Sequence, residues 1–303
     1  MTTHQKSYLA LSVISIVWGI TWVVSKHAIN IGHIPALQLS GLRQCIAGLC
    51  FCTYYIAKGY GLPKRKDWGI LLVLSILMFA LSNGLSTIAV TSVGSGLGAV
   101  IGAITALWLA IFSYIILKQR ITMQVSVGLC IGFAGILIIF YDRLPNFTNP
   151  TFTTGIILSI IATITWALGT IYTVKYSIGG NAWYNTGWQM LISGITLTAC
   201  SYTQPRVPLS SIPYIGWVDV GILVLGGSIL TFICFMYILQ RLPAAQVSIY
   251  VYINPIIAVI LGHYVFINSA TLQEPLSSTL AIGACITLVG VYIVNKYSKV
   301  SKI

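Results

Sequence analysis

Long apolar stretches separated by short polar connections run through the whole chain. A helix needs about 20 apolar residues to cross the roughly 30 Å hydrocarbon core of a bilayer, and the chain offers ten candidate stretches. They cover Tyr8–Lys26, Pro35–Ala57, Asp67–Ile88, Ser92–Leu117, Ile121–Tyr141, Thr154–Lys175, Trp183–Thr203, Tyr214–Leu239, Pro243–Phe266 and Ser277–Lys296. The turns near Thr91 and Leu242 are so short that each joins two candidate spans. We divide the spans there because each joined stretch is too long for one helix and because the sequence repeats. The pattern predicts an all-α membrane protein with ten transmembrane helices.

Landmark residues of the first half recur in the second half about 150 residues later, which is typical of a duplicated unit. The matched pairs are Trp18 and Trp166, Gly41 and Gly187, Gly48 and Gly194, Thr105 and Pro255, Gly128 and Gly283, and Gly135 and Gly290. Two copies with an odd number of helices insert in opposite orientations, and substrate then binds where they meet. We therefore expect two inverted five-helix repeats, 1–146 and 147–303, within one membrane domain.

Composition excludes an ordinary soluble domain. The chain of 303 residues is 57% hydrophobic and 7% charged, with a mean hydropathy of +0.92. In a soluble domain about a quarter of the residues are charged. The first apolar stretch lacks a small-residue cleavage site and is followed by further stretches, so it is expected to remain as a helix.

The basic residues of the connections predict the orientation, because Lys and Arg near helix ends resist translocation. With a cytoplasmic N-terminus, twelve of the 16 Lys and Arg fall on the cytoplasmic side, three on the other side, and Arg43 within a helix. The twelve are Lys6, Lys58, Lys64, Arg65, Lys66, Lys118, Arg120, Lys175, Arg241, Lys296, Lys299 and Lys302, and the three are Lys26, Arg143 and Arg206. Both termini are thus predicted to be cytoplasmic, in the inner (plasma) membrane. Loop asymmetry and attraction to anionic lipids explain the net charge of +12 without nucleic-acid binding.

Few residues could carry enzyme chemistry. The four carboxylates, Asp67, Asp142, Asp219 and Glu274, lie near predicted helix ends, so neither a paired-acid active site nor a metal cage is expected. The sequence has no phosphate-binding loop and no Gly-x-Ser-x-Gly motif. Its seven cysteines lack metal-ligand spacing and are expected to be inert apolar side chains. We predict no enzymatic activity, no cofactor, no metal and no carboxylate at mid-membrane depth.

Arg43 is predicted about eight residues into the second span, and so about 12 Å deep at 1.5 Å per residue. An intramembrane ion usually faces a cavity or a partner. Arg43 is expected to bind a substrate carboxylate or phosphate, or alternatively to reach the surface or the carbonyls of a helix end. Its repeat counterpart is the neutral Gln189. His27, predicted in a loop, and His263, near a span end, are expected to be structural, and the alternative is that they carry protons.

Aromatic and polar side chains complete the predicted substrate cavity. Amide and indole N–H groups need partners in hydrocarbon, so they are expected to point inward. Residues four apart on a helix share a face, as in the first, sixth and ninth spans. The candidates are Trp18, Thr21, Trp22, Arg43, Asn83, Trp108, Trp166, Thr170, Gln189, Gln246, Tyr250 and Asn254. The alternatives are amides that join helices and rings that anchor the protein at the membrane surface.

An ordered set of residues points to a known family. The set comprises Trp18-Gly19-Ile20-Thr21-Trp22 in the first span, Leu42-Arg43 in the second, Pro255 in the ninth and Glu274-Pro275-Leu276-Ser277 before the tenth. It resembles the EamA branch of the drug/metabolite transporter superfamily over nearly the whole chain, although no single motif is specific. The resemblance implies that helices one to four and six to nine surround a central cavity, that helices five and ten lie outside, and that amino acids or similar metabolites are exported.

Two positions depart from the pattern of that family. Thr105 stands where the first repeat usually has a proline, and Gln119 where it usually has a glutamate. The fourth helix is therefore expected to be less kinked, and proton coupling through an acid at position 119 is not assumed.

The sequence thus predicts a secondary transporter that exports small metabolites, above all amino acids or related zwitterionic or apolar solutes, by alternating access. Its expected partners are a small-molecule substrate and the lipid bilayer, and it is expected to be a monomer or a homodimer. The alternatives are a lipid flippase or scramblase, which a long apolar groove open to lipid would favour, and a non-transporting membrane scaffold.

Overall fold

The computed structural model describes residues 3–118, 122–176, 178–239, 241, 250–269, 272–273 and 277–297, which form helices and no strand. Ten long helical segments within these residues are named α1 to α10 in chain order. They are α1 (Thr3–Asn30), α2 (Ala36–Ala57), α3 (Trp68–Leu74, Ser75–Asn83 and Gly84–Val93), α4 (Ser95–Ala103 and Thr105–Leu117), α5 (Met123–Arg143), α6 (Pro150–Lys175), α7 (Ala182–Ser201), α8 (Tyr214–Val224, Leu225–Leu230 and Thr231–Leu239), α9 (Tyr250–Val265) and α10 (Ser278–Tyr297). Short 3-10 turns lie at Arg65–Asp67, Leu144–Thr148 and Leu209–Ser211.

The helices differ in how strongly they qualify as membrane spans. Five described helices are long and apolar enough to cross a bilayer, namely Gln5–Asn30, Arg65–Val93, Ser95–Leu117, Pro150–Thr173 and Tyr214–Ile238. Shorter apolar helices cover Met123–Ile139, Ile253–Val265 and Ser278–Val294. The remaining two, α2 and α7, are not among these apolar helices. The prediction of an all-helical, multi-pass membrane protein is confirmed.

Helices α2 and α7 pack against each other along their length. A Cβ atom added to Gly48 would overlap the backbone of Leu191, and one added to Gly194 would overlap that of Cys45. Small residues allow such close contact between membrane helices. At one end, Gln38 Nε2 donates to the Val207 carbonyl at 2.8 Å while Gln38 Oε1 accepts from the Val207 N–H at 3.1 Å. Polar side chains of α2 are therefore buried within the protein, which makes its lower hydropathy tolerable in a membrane.

A second glycine-rich contact joins α5 to α10. A Cβ atom on Gly290 would overlap the backbone of Gly132, and one on Gly135 would lie 2.5 Å from the Thr287 nitrogen. These two helices contribute none of the side chains that line the central cavity among the described residues. They form a tight pair beside the other eight helices.

Wide π-helical turns replace α-helical turns in the middle of α3 (Ser75–Asn83) and of α8 (Leu225–Leu230). In a π turn the N–H bonds five residues back, which often marks a functional site. The Asn83 side chain adds a bond at the end of the first segment, since its Nδ2 donates to the Met78 carbonyl at 3.0 Å. Both segments border the interior of the helix bundle.

Two local predictions need correction. The turn between the third and fourth helices lies at Gly94 rather than Thr91, because Gly94 adopts a φ of 84°, which favours glycine. Helix α1 continues to Asn30, so His27 lies in its last turn and not in a loop. Helix α4 contains a tighter turn at Ile104, where the Leu107 N–H bonds to the Ile104 carbonyl three residues back at 2.8 Å and Ile104 keeps helical dihedral angles.

Candidate substrate cavity

A cavity of about 160 Å³ lies among α1, α3, α4, α6, α8 and α9, and one side chain of α2 reaches it. An apolar cavity of about 150 Å³ accommodates a benzene-sized molecule, so this space suits a small solute. Eight of the predicted site residues line it: Trp18, Thr21, Trp22, Arg43, Asn83, Trp166, Tyr250 and Asn254. The cavity thus brings together predicted site residues from both halves of the chain.

Arg43 is the side chain that reaches the cavity from α2. It is 8% exposed, and its guanidinium is bound along one edge to the π-helical segment of α8. Nε donates to Ser228 Oγ at 2.7 Å, and Nη2 donates to the Gly227 carbonyl at 2.9 Å. A guanidinium has five N–H donors in a planar fork. The edge formed by Nη1 and the second Nη2 hydrogen therefore has no bond described within the protein.

The Gly227 carbonyl holds several side chains around this arginine. Besides Arg43, it accepts from Trp18 Nε1 at 3.3 Å and from Thr231 Oγ1 at 2.7 Å. A Cβ atom at position 227 would lie 2.5 Å from Thr21 Cγ2 and 3.2 Å from Arg43 Nη2. Only glycine lets α1 and Arg43 approach this carbonyl so closely, so the π segment of α8 sets the position of the charge.

A cluster of aromatic rings borders the cavity towards the C-terminal half of α8. The Trp18 ring lies 6.1 Å from Trp166, 5.7 Å from Phe232 and 4.9 Å from Tyr250, measured between ring centroids. The ring of Phe235, one turn further along α8, packs 5.4 Å from Trp18 but does not line the cavity. The rings of this cluster therefore close one side of the cavity.

The Trp22 ring packs against α4 at the edge of the cavity. A Cβ atom on Gly98 would lie 2.9 Å from the Trp22 ring, and one on Gly102 would lie 3.2 Å from it. These glycines of α4 therefore leave room for the indole ring of Trp22. The arrangement fixes the ring at the edge of the cavity.

Hydroxyl groups form a further wall that was not predicted. They come from Ser25, Ser82, Ser86, Thr87, Thr105, Ser159 and Thr163. On α3 and α6 they follow four-residue spacing, which is the signal that could have found them. Ser159 Oγ is fully buried and has no partner among the described residues, so it is available to a ligand.

Asn254 joins α9 to α1 at the cavity edge. With its amide nitrogen turned towards two carbonyls, Asn254 Nδ2 donates to Ser15 at 2.7 Å and to Tyr250 at 3.0 Å. Its amide therefore mainly joins two helices, which was the alternative to a role in substrate binding.

Three predicted site residues do not line the cavity, and a fourth cannot be placed. Trp108 stacks on Phe112 at 6.0 Å within α4, because it lies on the face of α4 that packs in a separate apolar cluster. The Thr170 hydroxyl donates to the Trp166 carbonyl of its own helix at 2.9 Å. Gln189 is buried where α7 meets α3, and its backbone carbonyl accepts a hydrogen bond from Ser75 Oγ at 2.9 Å. Gln246 lies outside the described residues.

The described lining of the cavity carries one fixed positive charge, and its other side chains are polar or apolar but uncharged. Arg43 is the only charged residue among the described lining residues. Neither Asp67 nor Asp219 lines the cavity, and the Asp142 side chain and Glu274 lie outside what the structure describes. Within the described chain, no group of three His, Cys, Asp or Glu could hold a metal ion. The site can bind an anionic group, hydrogen-bond donors and acceptors, and a flat apolar group.

Comparison with known proteins gives consistent matches over the whole length. The sequence pattern of the EamA-like transporter family matches residues 5–141 and 153–296. The chain is 29% identical to the uncharacterized inner membrane transporter YedA of Escherichia coli over 95% of this chain and 90% of that protein. It is 26% identical to the uncharacterized transporter YvbV of Bacillus subtilis over 98% and 94%. A solved crystal structure shares the fold, with a TM-score of 0.67 at 16% identity and 97% coverage of both chains.

Proposed function

Because this chain belongs to the EamA-like transporter family, we propose that it is a secondary transporter that exports a small metabolite, an amino acid or a related zwitterionic or apolar solute, by alternating access. The observation that carries the proposal is the free edge of the Arg43 guanidinium in a small, otherwise uncharged cavity. No ATP-binding motif occurs in the sequence, so the energy would come from a solute or ion gradient.

The free edge of Arg43 favours a carboxylate. Two parallel N–H donors match the two oxygens of a carboxylate, and such bidentate, charge-assisted pairs are short and strong. The low dielectric of a buried site increases the attraction, because little water screens the charges. Since α8 already binds the other edge of Arg43, its fork is pre-oriented for the substrate.

The rest of the cavity suits the remainder of an amino acid. An ammonium group could lie against the ring faces of the aromatic cluster, where cation–π attraction compensates for the missing carboxylate, or near the Asn83 amide oxygen, for which no bond is described. A side chain could pack against Trp22. The unpartnered Ser159 hydroxyl offers a further hydrogen bond.

We further propose that residues 1–146 and 147–303 are the two inverted repeats. Their helix contacts correspond, because α1 packs on α8 and α9 while α6 packs on α3 and α4. Counterpart helices also pair with each other, as α2 with α7 and α5 with α10. The π segments lie in the corresponding helices α3 and α8. This correspondence supports a rocking motion of one repeat against the other.

The distribution of basic residues supports cytoplasmic termini. In that orientation the outer end of the bundle is the end at which α1 finishes and α8 begins. The lining residues of α3 and α4 lie in the halves nearer the outer turn at Gly94, and the aromatic cluster lies on the opposite side of the cavity. We infer that the structure represents an outward-facing form closed towards the cytoplasm by this cluster.

A lipid scramblase is the main alternative, and the cavity argues against it. A lipid path needs a long apolar groove, whereas this cavity is small and lined by one arginine and many hydroxyls. The test is uptake of labelled amino acids into proteoliposomes that contain the purified protein, with protein-free liposomes as control and redistribution of fluorescent lipids measured in parallel. Saturable amino-acid uptake is expected. Lipid redistribution without solute uptake would favour the alternative.

A further inference from the structure

An ion-pairing contact that the cavity does not use joins α1 to α8. His27 Nδ1 lies 2.7 Å from Asp219 Oδ2, and the two side chains are 24% and 6% exposed. His27 is in the last turn of α1, and Asp219 is in the second turn of α8. Two residues treated separately in the sequence, one in a predicted loop and one at a helix end, therefore meet inside the bundle.

The surroundings of the pair are closely packed. The Ile31 and Gly32 N–H groups both bond to the His27 carbonyl, at 2.8 and 3.1 Å, so the backbone at the end of α1 is fixed. A Cβ atom on Gly32 would lie 2.9 Å from Gly216 Cα, which places the backbones of the two elements in contact. Any change in the strength of the pair therefore acts directly on the junction between α1 and α8.

The other charged or titratable groups on the neighbouring elements are Lys26, His33, Arg43, Arg206, Tyr214 and His263, and Glu274 lies outside the described residues. His33 and Tyr214 are exposed. Lys26 Nζ donates to the Leu272 carbonyl at 2.7 Å, and the Arg206 guanidinium lies 3.9 Å from the Tyr202 ring centre. In the described part of the chain, the ion-pair partner of Asp219 is His27.

We propose that His27 and Asp219 form a proton-binding site that fastens α1 to α8 at the outer end of the protein. Histidine is the side chain whose charge ordinarily changes between about pH 5 and 8. When the His27 ring takes up a proton from water, the imidazole becomes an imidazolium, and the net charge of the pair changes from minus one to zero. The hydrogen bond from Nδ1 to the carboxylate, in which only the acceptor was ionised, then joins two ionised groups and becomes stronger.

Proton binding at this junction would act on the substrate site through both helices. Helix α1 carries Trp18 and Trp22, and α8 carries the Gly227 carbonyl and the Ser228 hydroxyl that position Arg43. External acid therefore stabilises the arrangement in which α1 and α8 are joined, and external base loosens it. The role in transport rests on the proposed function, but the structural effect does not.

The test measures the distance between the outer ends of α1 and α8 without any substrate. Spin labels on Ile31→Cys and Ile215→Cys, in a background with the seven native cysteines replaced, report that short distance by dipolar broadening in continuous-wave electron paramagnetic resonance, in nanodiscs at pH 5.5 and pH 8.5. Both positions are exposed. We expect one narrow distance distribution at pH 5.5 and an added population at longer distance at pH 8.5.

The variants separate the pair from other causes of pH dependence. A single His27→Gln change would leave a buried carboxylate unpaired and could prevent folding, so the informative variant is the double change His27→Gln with Asp219→Asn, which retains a neutral hydrogen bond. Its distance distribution should be the same at both pH values. His33→Asn is the matched control, because this exposed histidine has a φ of 53° that asparagine tolerates, and it should respond like the wild type.

Two results would overturn the proposal. One is a wild-type distance distribution that does not change between the two pH values. The other is a pH response that persists in the double variant. Neither result bears on whether the protein transports solutes, since no substrate is present.

Discussion

Replacing Arg43 by glutamine separates the binding of a carboxylate from every other contribution of the cavity. The Arg43→Gln variant keeps a polar side chain near Gly227 and Ser228 but loses the positive charge and the planar fork. In the structure, one edge of the guanidinium is bound to α8 and the other is free, so the substituted protein loses two donors that only a substrate can use. The expected effect is therefore on ligands that carry a carboxylate.

The magnitude follows from the type of hydrogen bond that is lost. A hydrogen bond to a charged group contributes about 1.5–3 kcal/mol, and a neutral one about 1 kcal/mol. Loss of the charged pair should weaken the binding of a carboxylate by about 3 kcal/mol, or roughly a hundredfold, and that of the corresponding amide by roughly fivefold. Arg43→Lys keeps the charge without the fork and should give an intermediate loss.

The assay is competition with uptake of a labelled amino acid in proteoliposomes, using leucine and phenylalanine and their amides as competitors. Arg206→Gln is the matched control, because this arginine stacks on Tyr202 outside the cavity and does not line it. The thermal midpoint of each variant in detergent checks that α2 remains folded against α8. If Arg43→Gln weakens acids and amides equally in a folded protein, Arg43 is structural and the carboxylate site lies elsewhere.

Further predictions concern the cavity wall, the outer helix pair and the topology. Trp22→Ala should reduce competition by phenylalanine more than by alanine, and Gly98→Val should do the same by displacing the Trp22 ring, as measured by uptake competition. Equal loss for both competitors would argue against a side-chain site at this ring. Gly135→Leu should separate α5 from α10 and lower the melting temperature by about 5 °C, and an unchanged value in a thermal scan would contradict that packing. Reporter fusions at Met1 and Ile303 should both report the cytoplasm, and opposite locations would refute the assigned topology.

The regular part of the fold could be predicted because apolar length and glycine placement act locally along the sequence. Ten apolar stretches correspond to ten helices, and the glycines of α2 and α5 lie at close helix contacts as small residues should. Helix ends were predicted less well. A glycine with positive φ at position 94 and the continuation of α1 past His27 depend on backbone conformation that apolar patterns do not encode.

The candidate site could be predicted where chemistry is unusual in a membrane. Arg43 and the tryptophans stand out among apolar residues, and the structure brings several of them to one cavity. Gly227 and Ser228, which hold Arg43, could not be predicted, because they lie in a π turn of another helix, 184 and 185 residues away. The contact between His27 and Asp219 likewise depends on how two distant helix ends pack.

Solute counterflow tests the central claim most directly, because it requires a site that faces each side of the membrane in turn. Proteoliposomes are loaded with unlabelled leucine at high concentration and diluted into a trace of labelled leucine. An alternating-access transporter should accumulate the label transiently above its final level, and Arg43→Gln should abolish the overshoot while Arg206→Gln retains it. Label that merely equilibrates, or that enters no faster than in protein-free liposomes for every amino acid tested, would contradict the account.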